Sequence, residues 1–244
     1  MVALAVGTSH TVIARQDGSV RVWGDPNAFS LLTIPAEATN VLDVSAGSAD
    51  CLALRSDSTV VGWGDGYPGQ ALLPGVSNVI SMAGGPSSYL LLKTDGTVAR
   101  ATAYGPVPVN VTNIVGVGIT SEYSIALEAN GRVLTWNGPS QTLTTEMPGL
   151  TNVIAVAGGE SYASVALRAH STVVGWNSYP VRSWSVVAGI SNAVAVAGGR
   201  GFMALLPTAQ VQSWGTQTPS IPAPVVLSAN RLGTTAPSET RARL

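Results

Sequence analysis

The sequence predicts an all-β fold, and three observations carry that prediction. The chain of 244 residues resembles itself at intervals of 35–40 residues, it contains 27 glycines and 15 prolines, and only 10 % of its residues are charged. Short apolar runs separated by turn residues, without a helical period, are typical of strands. A hydrophobic content of 45 % beside so little charge excludes a disordered chain.

Six repeats are recognised by two markers. Each repeat starts with a small apolar run that ends in glycine, or once in threonine, which we call the slot residue. The slot residues are Gly7, Gly47, Gly85, Thr120, Gly159 and Gly199. A tryptophan follows 15–17 residues later in five repeats, at Trp23, Trp63, Trp136, Trp176 and Trp214. Such regular self-similarity indicates a repeat architecture, in which the recurrent tryptophans are expected to pack between repeats.

Within a repeat, the predicted order is first strand, slot loop, second strand, tight turn and third strand. Residues 153–157 are all small or β-branched, which predicts a first strand that is buried on both faces. Residues 52–54 are typical of the second strand, where Cys51 is expected to be a buried, inert thiol. The turns are predicted to be type I′ from the pairs Asp17-Gly18, Asp95-Gly96 and Asn130-Gly131. The third strand ends at the tryptophan.

Three or four strands for each repeat predict one blade, and six repeats predict a β-propeller of six blades. A seven-bladed or incomplete ring is the alternative. Residues 1–227 are predicted to form this single domain, with residues 228–244 as a flexible polar tail. We expect the N- and C-terminal strands to close the ring, because Ile221–Leu227 is similar to Ile34–Leu42 and closure would protect an open edge.

The order of slot glycine, Leu-Ala-Leu, Asp-Gly and Val-x-x-Trp-Gly resembles the regulator of chromosome condensation repeat family. The pattern is clearest in residues 46–70, and the resemblance covers about residues 2–227. The repeats are short and are most similar to bacterial versions, among them a secreted propeller that inhibits β-lactamases. The resemblance implies a propeller that offers loop surfaces to proteins, and it favours a secreted or extracytoplasmic location.

Composition excludes several classes of function. The net charge is −1, with 12 basic and 13 acidic residues, so the chain has no electrostatic footprint for nucleic acid. One cysteine and two histidines, His10 and His170, predict neither a disulfide framework nor a metal site, and no cofactor motif is present. No apolar run reaches the roughly 18 residues of a membrane span. The apolar start, which lacks a basic region and a cleavage site, is expected to belong to the first blade.

The slot loops are the candidate binding face. Their residues vary while the framework around them stays nearly constant, which is typical of a recognition surface on a rigid scaffold. The candidates are His10, Asp50, Ser88, Glu122, Tyr123, Glu160, Tyr162, Arg200 and Phe202, together with Trp184, which lies outside the tryptophan slot. Tyrosine and phenylalanine are expected to be anchors there. The alternative is that these positions are ordinary solvated loops.

The favoured function is a non-enzymatic, monomeric propeller that binds a protein partner and blocks or scaffolds it. A carbohydrate-binding lectin is the alternative, although the slot loops do not repeat one set of ligand-binding residues as a lectin would. A hydrolase is a third hypothesis. His10 and Asp50 occupy equivalent positions in neighbouring repeats, but no marked nucleophile accompanies them, and the aspartates at 17, 57 and 95 are explained by turn formation. The sequence therefore predicts no catalytic residue.

Overall fold

A computed structural model describes residues 3–25, 29–65, 76–85, 88–102, 105–109, 111–137, 145–159, 163–177, 183–199 and 201–215. The predicted closure by Ile221–Leu227 and the predicted tail at 228–244 lie outside these residues. Within them, the structure is built almost entirely of strands. The one helix, α1 (Phe29–Leu32), is a single turn, and no described helix is long and apolar enough to cross a membrane.

Six antiparallel sheets follow one another along the chain, and each sheet is one blade. Blades 1 to 3 contain β1 (Ala3–Val6), β2 (His10–Ala14) and β3 (Val20–Gly24); β4 (Val41–Ala46), β5 (Asp50–Arg55) and β6 (Val60–Gly64); and β7 (Val79–Gly84), β8 (Tyr89–Lys93), β9 (Val98–Thr102) and β10 (Gly105–Val109). Blades 4 to 6 contain β11 (Ile114–Ile119), β12 (Tyr123–Glu128), β13 (Val133–Asn137) and β14 (Thr145–Glu146); β15 (Val153–Gly158), β16 (Ala163–Arg168), β17 (Val173–Asn177) and β18 (Ser183–Val186); and β19 (Ala195–Gly198), β20 (Phe202–Leu205) and β21 (Val211–Trp214). Neighbouring strands pair in chain order in every blade, which confirms the prediction of an all-β propeller with six blades.

Apolar clusters join each blade to the next. The first strands of successive blades pack against each other from β1 to β19, and a buried cluster fills each of the five junctions. At the first junction, Trp63 of blade 2 packs with Val12 and Leu31, and its indole Nε1 donates a hydrogen bond to the Leu31 carbonyl at 3.0 Å. The tryptophan of this position thus packs its blade against the blade that precedes it.

The tight turns differ from the type I′ prediction. Gly18 has φ +78°, but Asp17 is not in the left-handed region, and the Gly18 amide donates to the Arg15 carbonyl at 3.0 Å. This pattern is a type I turn followed by a left-handed residue. The Asp17 carboxylate accepts the Ser19 amide at 2.9 Å, so the aspartate acts as a local cap, and Asp57 and Asp95 do the same.

The backbone conformation explains the asparagine that recurs before the first strands of blades 2 to 6. Asn40, Asn78, Asn113, Asn152 and Asn192 all adopt φ between 53° and 59°. Asparagine tolerates this left-handed conformation better than most residues. It lets the Val41 amide donate to the carbonyl of Gly18 in the preceding blade, while the Asn40 carbonyl accepts the Ser56 amide. The asparagine therefore connects one blade to the turn of the blade before it.

Directly after this asparagine, the first strand contains a β-bulge. The register shifts between Val41 and Asp43, and corresponding shifts occur in blades 3, 4 and 5. The extra residue of a bulge is turned away from the regular alternation of faces. Ile154 is one of these residues and is 43 % exposed, so the prediction that residues 153–157 are buried on both faces is wrong at this position.

Candidate functional site

The slot loops are tight turns whose geometry draws neighbouring blades together. The amide of the slot residue donates to the carbonyl three residues later at Gly7, Gly47, Gly85 and Thr120, with distances of 2.8–2.9 Å. A Cβ atom on Gly7 would lie 2.4 Å from the Gly47 carbonyl oxygen of the next blade. A side chain cannot be placed there without moving the backbone. The slot glycines thus allow two first strands to approach closely, and this packing role explains them without a phosphate-binding loop.

His10 and Cys51 meet across the junction between blades 1 and 2. The His10 Nε2 lies 3.1 Å from the Cys51 Sγ, and both side chains are buried. Burial lowers the pKa of the His10 imidazole, an effect opposed by a hydrogen bond with the backbone of Asp50. Burial also raises the pKa of the Cys51 thiol, and the nearby Asp50 charge adds to the increase. A neutral imidazole beside a neutral thiol is a packing contact, because a reactive cysteine requires a lowered pKa.

Asp50 and Tyr89 form the corresponding contact between blades 2 and 3. The Tyr89 hydroxyl donates to the Asp50 Oδ1 at 2.7 Å and also lies 3.0 Å from the Asp50 carbonyl oxygen. Both residues are buried. Burial raises the pKa of the Asp50 carboxyl, while the hydrogen bond from Tyr89 acts in the opposite direction. The carboxyl group is consequently occupied within the protein and is not presented to a ligand.

Tyr123 and Ser164 form a third contact of this kind, between blades 4 and 5. Their hydroxyl oxygens are 2.6 Å apart, and both residues are buried. In all three contacts, the residue at which a second strand begins contacts a residue of the second strand in the next blade. Within its own repeat, that partner lies one position further along. We call His10–Cys51, Asp50–Tyr89 and Tyr123–Ser164 the interblade pairs. The expectation that His10, Asp50 and Tyr123 are accessible loop residues is wrong, because each side chain turns into a junction.

The remaining candidates are distributed between interior and surface. Ser88 is buried and accepts a hydrogen bond from Arg100 Nη2 at 2.8 Å, so it is not an accessible loop residue either. Phe202 is half-buried and stacks on Trp214 with ring centroids 5.8 Å apart. Glu122 is exposed, and its role in binding stays a prediction. The candidates Glu160, Tyr162 and Arg200 lie outside the described residues.

Trp184 is half-buried and packs against the cluster between blades 4 and 5. Its indole Nε1 donates to the Pro148 carbonyl at 3.1 Å, and the Arg168 guanidinium lies 5.6 Å from the ring centroid. A ring with one edge bonded and one face covered by a cation has little surface left for a ligand. The structure thus places Trp184 mainly as a cap on the neighbouring blade.

The recurrent tryptophans are largely interior. Trp63, Trp136 and Trp176 are buried, which confirms the packing prediction for these three. Trp214 is half-buried in the last junction, whereas Trp23 is 50 % exposed. Among the described residues, no group of three or more histidine, cysteine, aspartate or glutamate side chains is placed to hold a metal ion.

The sequence interpretation missed a surface at the opposite end of the blades. The residue two places after each asparagine is aliphatic in five blades, and four of the five side chains are 43–53 % exposed. We call Leu42, Ile80, Val115, Ile154 and Val194 the bulge row; the half-buried member is Val115. Since first strands of successive blades pack against each other, these equivalent positions follow one another at the same end of the blades. The signal in the sequence was the recurrence of this aliphatic residue after Ser/Thr-Asn and one core residue.

Charged residues lie beside the bulge row. In blades 2 to 5, the residue of the second strand that pairs with the first residue of the first strand is charged. These residues are Arg55, Lys93, Glu128 and Arg168. Arg55 forms an ion pair with Asp57 at 3.0 Å, and Arg168 donates to the Thr151 carbonyl at 3.0 Å. The row is therefore an apolar strip flanked by charged residues, of which Arg55 is paired with a carboxylate and Arg168 is bonded to a neutral carbonyl.

Comparisons with known proteins support the fold. Residues 1–29 match the family model of the regulator of chromosome condensation (RCC1) repeat. No curated protein matches the chain in sequence. Human WBSCR16 superimposes with a TM-score of 0.74 at 16 % identity, over 87 % of this chain and 75 % of that chain.

Two further structures are similar. Prp20p from Saccharomyces cerevisiae, studied for its binding to Gsp1p and histones, has a TM-score of 0.72 at 15 % identity, over 87 % of this chain and 71 % of that chain. The ectodomain of the Physcomitrella patens receptor kinase CR4 has a TM-score of 0.70 at 16 % identity, over 93 % of this chain and 66 % of that chain. The chain thus carries an RCC1 repeat and shares the propeller fold of RCC1-type proteins.

Proposed function

We propose that this RCC1-type propeller is a non-enzymatic protein-binding module that blocks or scaffolds a partner by presenting the bulge row to an apolar segment of it. The observation that carries the proposal is the exposure of the same aliphatic position in four of five successive blades. Exposed aliphatic residues scattered singly need no explanation, but their recurrence in a row indicates an interaction surface. A rigid framework adds to this, because it lowers the entropy lost on binding.

The fold itself supports a binding role. Prp20p, which has this fold, binds Gsp1p and histones, and the same protein, as yeast RCC1, was crystallised with Kap60 bound. Function resides in sites and not in folds, so this similar structure suggests the class of activity and not the partner. The His10–Cys51 pair does not favour an enzyme, since its thiol is buried and its pKa is raised.

The test compares variants of equal exposure. Leu42, Ile80, Ile154 and Val194 are changed together to serine, and Val186→Ser is the control, because Val186 is 54 % exposed but lies on the outer strand β18. Both immobilised variants and the unmodified chain are incubated with the native secretome, and retained proteins are identified by mass spectrometry. We expect proteins that the unmodified chain and the Val186 variant retain and that the row variant loses, with binding weakened by ~2 kcal/mol or more.

Circular dichroism of each variant establishes that the fold is intact, so that lost binding reports on the surface. Equal retention of the same proteins by the row variant would contradict the bulge row as the binding site. Retention of glycan-bearing material alone, which is released by free sugars, would instead favour the lectin alternative.

A further inference from the structure

The junction between blades 3 and 4 lacks an interblade pair. Ser88 of blade 3 and Ser124 of blade 4 occupy the two positions that form the interblade pairs at three other junctions. Both serines are buried, yet the Ser124 hydroxyl has no hydrogen-bond partner in the described part of the chain. Leaving a buried polar group without a partner is costly, so the unpaired hydroxyl calls for an explanation.

Arg100 lies beside this incomplete pair. It pairs with Leu90, a member of the apolar cluster between blades 3 and 4, so its side chain is on the face of blade 3 that is directed at blade 4. Its Nη2 donates to the Ser88 Oγ at 2.8 Å. In the other five blades, the residue at this position of the third strand is uncharged, namely Val22, Gly62, Thr135, Gly175 and Ser213.

The guanidinium of Arg100 is a cation without a counterion among the described residues. Its Nε and Nη1 atoms are buried and have no hydrogen-bond partner, and no ion pair of the described residues includes Arg100. Burial lowers the pKa of Arg100, but a guanidinium stays protonated in proteins. A buried charge is stable only when it is paired and hydrogen-bonded, so this group requires an acceptor.

The backbones of blades 3 and 4 are also kept apart at this end of the junction. A Cβ atom on the slot residue Gly85 would meet first the side chain of Ile119, at 3.1 Å. At the preceding junction, a Cβ atom on Gly84 would lie 2.6 Å from the carbonyl oxygen of Ala46, which is backbone. Ile119 pairs with Ser124 across the strands of blade 4. The spacing is therefore set by a side chain directly beside the unpaired hydroxyl.

We propose that Ser88, Arg100 and Ser124 form a binding site for a small anion with oxygen acceptors, either a carboxylate or an inorganic oxyanion. The anion accepts hydrogen bonds from Arg100 and from the Ser124 hydroxyl, while Ser88 positions the guanidinium. Arginine suits this role because its planar N–H groups match the oxygens of such anions. The donor atoms are buried, which fits a small ion better than a side chain of a partner protein. The site lies at the slot-loop end and does not depend on the bulge row.

Thermal melts of the full chain with added anions test the site. Sodium acetate, nitrate and phosphate are titrated in turn against sodium chloride at constant ionic strength and pH. We expect at least one of them to raise the melting temperature by several degrees and to saturate, because a ligand of the folded state stabilises it. Arg100→Met should abolish the increase. Arg21→Met, which alters an exposed arginine on the third strand of blade 1, is the control and should retain it.

Ser124→Ala keeps the arginine, so it tests the site even if Arg100→Met fails to fold. Without the anion its melting temperature should equal that of the unmodified chain, since the hydroxyl has no partner. Isothermal titration calorimetry should show a dissociation constant for the stabilising anion that is raised roughly fivefold or more. An equal increase in melting temperature for Arg100→Met would identify a general salt effect and overturn the proposal. No saturable effect of any of the three anions would overturn it too, because another group would then satisfy Arg100.

Discussion

The two ends of the blades use the same repeat in opposite ways. At the slot-loop end the residues vary from blade to blade, yet His10, Asp50 and Tyr123 are buried in interblade pairs. At the turn end the residues hardly vary, yet the aliphatic side chains of the bulge row are exposed. Variation in a repeat protein therefore does not by itself indicate a surface that meets a partner. Residues can differ because each must suit one particular neighbour in the next blade.

The difference has a physical origin in the spacing of the strands. At the slot loops, glycine brings two first strands so close that the adjacent side chains are enclosed by the next blade. An enclosed polar group must find a hydrogen-bond partner, which restricts the pair as a unit. At the other end, the bulge directs a side chain away from the sheet, where no neighbour constrains it and only a general apolar character recurs.

The largest expected effect on stability comes from replacing an enclosed tryptophan, compared with a tryptophan that is only half-buried. Trp63→Ala should destabilise the protein by about 3–5 kcal/mol, because a buried ring and a hydrogen bond to Leu31 are lost. Trp184→Ala, at a half-buried cap, should have a clearly smaller effect. Urea titration of both variants measures the difference, and equal midpoints would show that the two rings are equally enclosed.

An interblade pair should be weaker than a tryptophan but still significant. Tyr89→Phe removes the hydroxyl that donates to the buried Asp50 carboxyl and should lower the free energy of unfolding by about 1–3 kcal/mol. The control is Glu122→Gln, which alters an exposed side chain in another slot loop and should change stability much less. Chemical denaturation of both variants is the measurement. An unchanged free energy of unfolding in the Tyr89→Phe variant would mean that the Asp50 carboxyl is protonated or hydrated in the junction.

The His10–Cys51 pair predicts a pH dependence. Because burial lowers the pKa of His10 in the folded protein, the unfolded chain binds a proton first as the pH falls below the ordinary value of 6.5. Stability should therefore decrease as the pH falls through 6.5 towards the lowered pKa of the folded protein, and His10→Gln should remove that part of the decrease. Thermal melts across this range are the test. His170→Gln, at a turn, is the matched control, and an identical pH profile for both variants would contradict the assignment to His10.

The smallest effect on stability is expected in the bulge row. Leu42→Ser and Ile80→Ser should each change the free energy of unfolding by less than about 0.5 kcal/mol, since both side chains are about half exposed. Val79→Ser, at the neighbouring buried position, should destabilise far more. Thermal melts of the three variants compare them. A large loss for Leu42→Ser would show that the row belongs to the core.

Much of the fold could be predicted from residues that act within one repeat. The slot residues, Asp17-Gly18 with its equivalents, and the tryptophan of five third strands predicted six three- or four-stranded blades, because turns and strand patterns depend on nearby residues. The type of turn was predicted incorrectly for a local reason. The Asp-Gly pair is compatible with two hairpin geometries. Here the loop has three residues, and the Asp17 carboxylate accepts the Ser19 amide in it.

What only the tertiary structure decided concerns contacts between residues about 40 positions apart. Whether Tyr123 faces solvent or Ser164 depends on how close blade 5 lies, and no pattern within repeat 4 encodes that distance. Trp23 and Trp63 occupy the same position in their repeats, yet one is half exposed and the other is buried. Burial is a property of the surface that meets a residue, so identical local sequence yields different environments wherever the neighbouring blade differs.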